Sequence, residues 1–162
     1  MTQRVFTQTF GVVGAIIERD GKFLLMREAG RKGPDAGKWS HPAGWIDVGE
    51  NPVDAVQREA QEESGFTFTP THILGVYSLV RHDIRENETV MPHAIKLIFV
   101  GTVTGTQQAL ADDSTETRWF TPEEIAAMDG ATLRDVDIKQ MVRDYQAGKR
   151  YSLDLLTHTV QA

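Results

Sequence analysis

Apolar residues fall in short blocks along this chain. Val12-Val13-Gly14-Ala15-Ile16-Ile17 and Phe23-Leu24-Leu25-Met26 flank Arg19-Asp20-Gly21-Lys22. An Asp-Gly pair between apolar runs predicts a β-hairpin. Residues 29–38 hold three glycines, a proline and the cations Arg31, Lys32 and Lys38, which predicts a loop. Pro42 biases His41 toward extended backbone, and His41 reads as a loop histidine with satisfied hydrogen bonds.

The period changes after Glu50-Asn51-Pro52. Proline suits the first helical turn, where its missing N–H would have no partner. Gly65 fits a helix stop. Between them Val53, Val56 and Ala60 recur at spacings of three and four, which gives one core-facing stripe. On a helical wheel Glu63 borders that stripe, and Glu59 and Glu62 extend the arc away from it. Asp54, Gln57 and Gln61 fall on the far side. Three carboxylates therefore line the edge of the buried face, where a cleft wall would be.

Further on, residues 72–80 and 94–103 read as strands, joined by a polar loop over residues 81–92. Trp119-Phe120 ends a short strand, and Thr121-Pro122-Glu123-Glu124 is a helix entrance. Residues 134–145 read as a last helix. The pattern gives no place for residues 149–162. Trp39, Trp119 and Tyr77 read as core aromatics. The chain shows no repeat or linker, and its 162 residues fit one domain of mixed α and β structure.

Charge and composition narrow the chemistry. A net charge of −6 argues against a nucleic-acid backbone as partner. The absence of cysteine excludes disulfides, zinc–thiolate sites and thiol nucleophiles. No segment has the length of a signal or membrane span, so a cytoplasmic location is expected. The glutamate cluster is costly alone. At roughly 5–6 Å and an effective dielectric near 20, two such carboxylates repel by about 3 kcal/mol. A hard divalent cation such as Mg²⁺ relieves that repulsion and can bridge carboxylates to substrate phosphates.

Residues 44–66 resemble the signature box of the Nudix hydrolase superfamily. The matching places are Gly44, Glu50, Arg58-Glu59, Ala60, Glu62-Glu63, Gly65 and Phe66, with Ala60 smaller than the aliphatic residue usual there. The resemblance implies an α/β/α sandwich with a mixed central sheet, in a single domain over residues 1–148. It implies a MutT-like, Mg²⁺-dependent pyrophosphohydrolase, with Mn²⁺ as a substitute ion. Glu59, Glu62, Glu63 and the carbonyl of Ala43 would hold metal, Arg58 would orient the glutamates, and Glu50 would brace Arg58. An additional glutamate from a later loop often serves in the family. Glu116 is the candidate here, ahead of Glu86, Glu88, Asp112 and Asp113. Arg27, Arg31, Lys32 and Arg81 are candidates to meet substrate phosphates, with Tyr77, His82 and Arg85 near a base or sugar.

Pro42-Ala43-Gly44 and the run to Glu50 look closer to ADP-ribose or nucleotide-sugar pyrophosphatases than to the branch acting on nucleoside triphosphates. The expected substrate is a small molecule, a nucleoside diphosphate linked to another moiety. A homodimer is compatible with the resemblance. Two rival readings are an inactive Nudix-like binding module and an isopentenyl-diphosphate isomerase. The first typically loses box residues, and the second uses a cysteine that this chain lacks.

Overall fold

Asp20 and Gly21 both adopt positive φ, 52° and 78°, in the computed structural model of the chain. That is the demand of a tight two-residue hairpin. It joins β2 (Glu18–Arg19) to β3 (Lys22–Glu28), as the sequence predicts. The structure describes residues 9–29, 34–84, 92–105, 107 and 114–161.

Two sheets form the centre. The larger orders β5 (Ala43–Trp45), β1 (Thr9–Ile16), β7 (His93–Thr104) and β6 (Thr67–Val80). β1 runs parallel to β7, while β5 and β6 are antiparallel to their neighbours. In the smaller sheet β3 pairs along one edge with β8 (Ser114–Phe120), and along the other with β2 and then β4 (Trp39–Ser40).

Strand alternation sends side chains to two faces. Val13, Ala15, Ile17, Leu24, Ile73 and Phe99 pack with Ala55, Val56 and Ala60 of α1 (Pro52–Ser64). Ile16, Phe23, Leu25, Leu74 and Ile98 pack instead with Ile125 of α2 (Pro122–Ala127) and with Ile138, Met141 and Val142 of α3 (Ile138–Gln146). The result is helix, sheet, helix: the α/β/α sandwich that the resemblance implies. Among the described residues no helix is long and apolar enough to cross a membrane.

Three elements differ from the sequence reading. β6 starts at Thr67 rather than residue 72. Pro70 hides that start, but β6 is an edge strand that tolerates proline, and its register shifts between Pro70 and His72. α3 starts at Ile138 rather than residue 134, because the chain before it is held elsewhere. Trp39 N–H donates to the Thr132 carbonyl at 2.8 Å, and Arg134 N–H donates to the Trp39 carbonyl at 2.9 Å. The unplaced tail closes on the sheet edge. Tyr151 and Ile73 exchange backbone hydrogen bonds of 2.8 and 2.9 Å, and Leu153 and Leu156 pack against the α1-side core.

Candidate active site

The site is built on α1. Asn51 caps its start by accepting from Val53 N–H at 3.0 Å, and Pro52 fills the first turn. Gly65 ends it in the left-handed conformation at φ 72°, with its N–H donating to the Gln61 carbonyl. Between these caps Val56 and Ala60 are fully buried, and that anchoring fixes the rotation of the helix.

Arg58 is the hub. Its Nε and Nη2 donate to the two oxygens of Glu50, each at 2.9 Å. Nη1 donates to Glu59 at 2.6 Å and lies 3.5 Å from Glu62. Nη2 also reaches the Trp45 carbonyl at 3.3 Å, tying the helix to β5. Hydrogen bonding to Glu50 holds the guanidinium above its ordinary pKa, against the opposing effect of burial. The same bond holds the Glu50 carboxyl below the usual range. Glu50 further accepts from Asp47 N–H at 3.1 Å, which fixes the loop before the helix.

Glu59 lies against the backbone of Gly44, and a Cβ there would overlap its carboxylate. Only glycine allows this approach. Glu63, 6% exposed, accepts from Ala43 N–H at 2.7 Å. Glu62 is the most open, with its side chain half exposed. Glu59 and Glu63 thus meet the short strand Ala43-Gly44-Trp45, Glu62 lies one turn along beside Arg58, and Arg58 offsets charge on Glu59 and Glu62. Among the described residues no three acidic or imidazole groups already converge as an ion cage. The donor set is nevertheless all hard oxygen, and it abuts a glycine that leaves room beside a carboxylate. It suits a divalent ion of the Mg²⁺ type, which would compete with Arg58 for Glu59 and Glu62.

On the other face of the large sheet, β5 borders a cavity of about 330 Å³. Phe10, Trp45 and Leu79 wall it, with Arg81, Lys96, Arg134 and Asp135 at its charged end. Lys96 is buried and donates to Asp135 at 2.6 Å and to Asp137 at 3.2 Å. Burial alone would raise the Asp135 pKa, but Lys96 holds it below the ordinary value. His41 lies nearby with both ring nitrogens buried and without a hydrogen-bond partner. A Cβ on Gly14 would stand 2.5 Å from its Nε2. Burial, reinforced by Lys96, pushes its pKa down to about 3. The satisfied loop histidine expected from sequence is therefore a buried, unpartnered one.

The other candidates sit apart from α1. Arg81 donates to Asp83, Asp35 and Asp135, each at 2.8 Å, so its guanidinium is already surrounded by carboxylates. Arg27 donates to the Gly37 carbonyl at 3.0 Å and lies 3.4 Å from Glu116, its partner across β3 and β8. Glu116 alternates with Trp119, which packs toward α1, and so shares the opposite face with Phe120. Tyr77 is half-buried and donates to Asp144 at 2.8 Å, and His82 is exposed. Arg31, Lys32, Arg85, Glu86, Glu88, Asp112 and Asp113 lie outside the described residues. Sequence reading missed Lys96, Arg134 and Asp135, because a cation inside an apolar strand and an Arg-Asp pair before a helix carry no motif.

Comparison with known proteins agrees with this architecture. The model of the NUDIX domain matches residues 7–142. A solved NUDIX hydrolase from Nitrosomonas europaea superposes with a TM-score of 0.81 at 32% identity, over 94% of this chain and 98% of that one. The ADP-ribose pyrophosphatase of Methanocaldococcus jannaschii is 29% identical over 90% of this chain and 78% of its own length. Phosphatase NudJ of Escherichia coli strain K12 is also 29% identical, over 89% of this chain and 88% of its own length. The chain belongs to the Nudix family. It is a Nudix-type pyrophosphohydrolase, and hydrolases of this family generally use divalent metals.

Proposed function

We propose that the protein hydrolyses a phosphoanhydride bond in a nucleoside diphosphate linked to another moiety, with ADP-ribose and nucleotide sugars as the first substrates to try. The name of the archaeal relative supports the first, and the loop leading into the box supports both. Mg²⁺ would be held by Glu59, Glu62, Glu63 and the Ala43 carbonyl. Bound there, it would neutralise diphosphate charge and lower the pKa of a coordinated water.

The chain's own residues do the remainder. Arg58 holds Glu59 and keeps Glu62 in reach, and Glu50 holds Arg58 through two parallel bonds. Gly44 lets the Glu59 carboxylate lie against the β5 backbone, where a side chain would displace it. Glu62, half exposed, is open to take a proton from an attacking water. Glu116 stands next to Arg27, away from this cluster, and is the weaker base candidate.

The carrying observation is the single guanidinium that gathers Glu50, Glu59 and Glu62 against β5. An inactive module is disfavoured because every polar place of the box is filled, and an isomerase because the chain has no cysteine. The test is a panel of ADP-ribose, nucleotide sugars, nucleoside triphosphates and dinucleoside polyphosphates with Mg²⁺, following nucleoside monophosphate or phosphate release. Glu62→Gln and Glu63→Gln should each lower kcat by about 10²-fold or more, because transition-state charge loses its stabilisation. Full activity in both variants, or inactivity of the wild type across the panel, overturns the assignment.

A further inference from the structure

The outer edge of β6 is guarded over its first half and open over its second. We propose that the open half, residues 75–80, pairs antiparallel with the same segment of a second copy of this chain, joining two four-stranded sheets into one. This surface does not depend on the hydrolase reading.

The hydrogen-bond pattern shows which backbone groups are available. In an antiparallel ladder, hydrogen-bonded pairs alternate with pairs whose N–H and C=O groups point away. Arg81 N–H donates to the Pro92 carbonyl at 2.9 Å, one position beyond the Val80–His93 pair of β6 and β7. Leu79, Tyr77 and Gly75 therefore bond to β7, while Val80, Ser78 and Val76 turn their backbone groups outward. Among the described residues only Tyr151 forms a backbone bridge to that outer edge, at Ile73.

The side chains repeat the contrast. Sheet edges are ordinarily blunted by proline, charge, bulges or a covering segment. The first half of β6 has three of these: Pro70, register shifts between Pro70 and His72 and between Ile73 and Gly75, and Tyr151 with the tail behind it. Gly75-Val76-Tyr77-Ser78-Leu79-Val80 has no proline and no charged residue. Val76 is 65% exposed. Val80 and Ile95, the latter opposite Ser78 on β7, are exposed on the same face.

Symmetry and charge select the occupant. A two-fold axis through Ser78 sets Val76 of each copy opposite Val80 of the other, which makes two valine pairs on one face. The three outward residues of each copy then exchange about six backbone hydrogen bonds. The tail at Ile73 and the turn at His82–Ile84 bound the open segment at the same points in both copies, which fixes this register. Each chain has a net charge of −6, so two copies approach most easily across a neutral seam. Six residues make a seam of about 20 Å. A contact of that length buries less than about 1,200 Å² in total, the weak end of specific interfaces, so the pairing is concentration-dependent.

Sedimentation velocity of the full chain over about a hundredfold range of concentration reads the assembly. The mass should rise from one chain toward two. Val76→Lys should weaken association by about tenfold or more, because it brings an ammonium group to the seam opposite a valine. Ser78→Pro should abolish it, since proline removes the outward N–H at the axis while β6 loses no bond to β7. Val48→Lys, at an exposed valine in the loop between β5 and α1, should leave association unaltered. Hydrogen exchange on the wild type supplies the signature. From dilute to concentrated samples the amides of Val76, Ser78 and Val80 should slow by about fivefold or more, with those of Tyr77 and Leu79 little changed. A mass that stays at one chain overturns the proposal, as it would if the edge served a strand of another protein instead. So does a dimer that survives both Val76→Lys and Ser78→Pro, or slowing without the alternation. Should Ser78→Pro not fold, Val76→Lys and the exchange pattern decide. Neither measurement uses substrate or metal, so failed pairing leaves the hydrolase reading standing.

Discussion

His41 shows at the scale of one residue how burial becomes pH sensitivity. Its ring is buried against Gly14, with Lys96 and Arg134 opposing a proton and Asp135 favouring one. Its folded pKa, about 3, lies below the unfolded value of roughly 6.5. Above pH 6.5 the imidazole is neutral in both states and has no effect on stability through titration. As pH falls through the window from 6.5 to 3, the unfolded chain takes the proton first, so stability drops by up to about 1.4 kcal/mol per pH unit. Urea midpoints should therefore fall more steeply between pH 6 and pH 4 in the wild type than in His41→Gln. Equal slopes would mean that the buried ring finds a partner in solution. The histidine's place was not legible in the chain, because its neighbours come from β1, β7 and the segment before α3. The contacts of Arg58 with Glu59 and Glu62 were legible, because their spacing lies within about one turn of α1, whereas the nearness of Gly44 to Glu59 joins β5 to α1 and follows from no local spacing.

Elements of this fold were readable in proportion to how local their signals are. α1 is bounded by Asn51, Pro52 and Gly65, as expected, since caps act within one turn. α2 likewise begins with a full capping box: Thr121 accepts from Glu124 N–H at 3.2 Å, and Glu124 accepts from Thr121 N–H at 2.7 Å. β6 and α3 were misjudged at their starts, where a tolerated proline and backbone hydrogen bonds to Trp39 overrule local preference. The cap of α1 bears on the site, since Glu50 immediately precedes it. Asn51→Ala should cost about 0.5–2 kcal/mol. That corresponds to a melting temperature lower by roughly 1–8 °C in a chain of this size. Differential scanning calorimetry checks this, and an unchanged transition would mean that Pro52 alone suffices to start the helix.

The whole molecule depends on contacts between distant stretches of chain. Residues 149–161 had no visible periodicity, yet Tyr151 adds to the free edge of β6 and Leu153 and Leu156 cover the α1-side core. Truncation after Gly148 should therefore destabilise the protein by roughly 2–4 kcal/mol, the burial of two leucines. Chemical denaturation of the shortened chain measures this, and an unaltered midpoint would make the segment a passenger. β1 has an analogous dependence on a far partner, pairing in parallel from Thr9 with His93 to Ile16 with Val100. During translation at about 5–20 residues per second, the ribosome needs roughly 4–17 s to deliver that partner. For that interval Val13 and Ala15 on the nascent chain lack the strand that later flanks them. The newborn enzyme is thus a candidate client for early chaperone contact, and it has no working site until most of its message has been read.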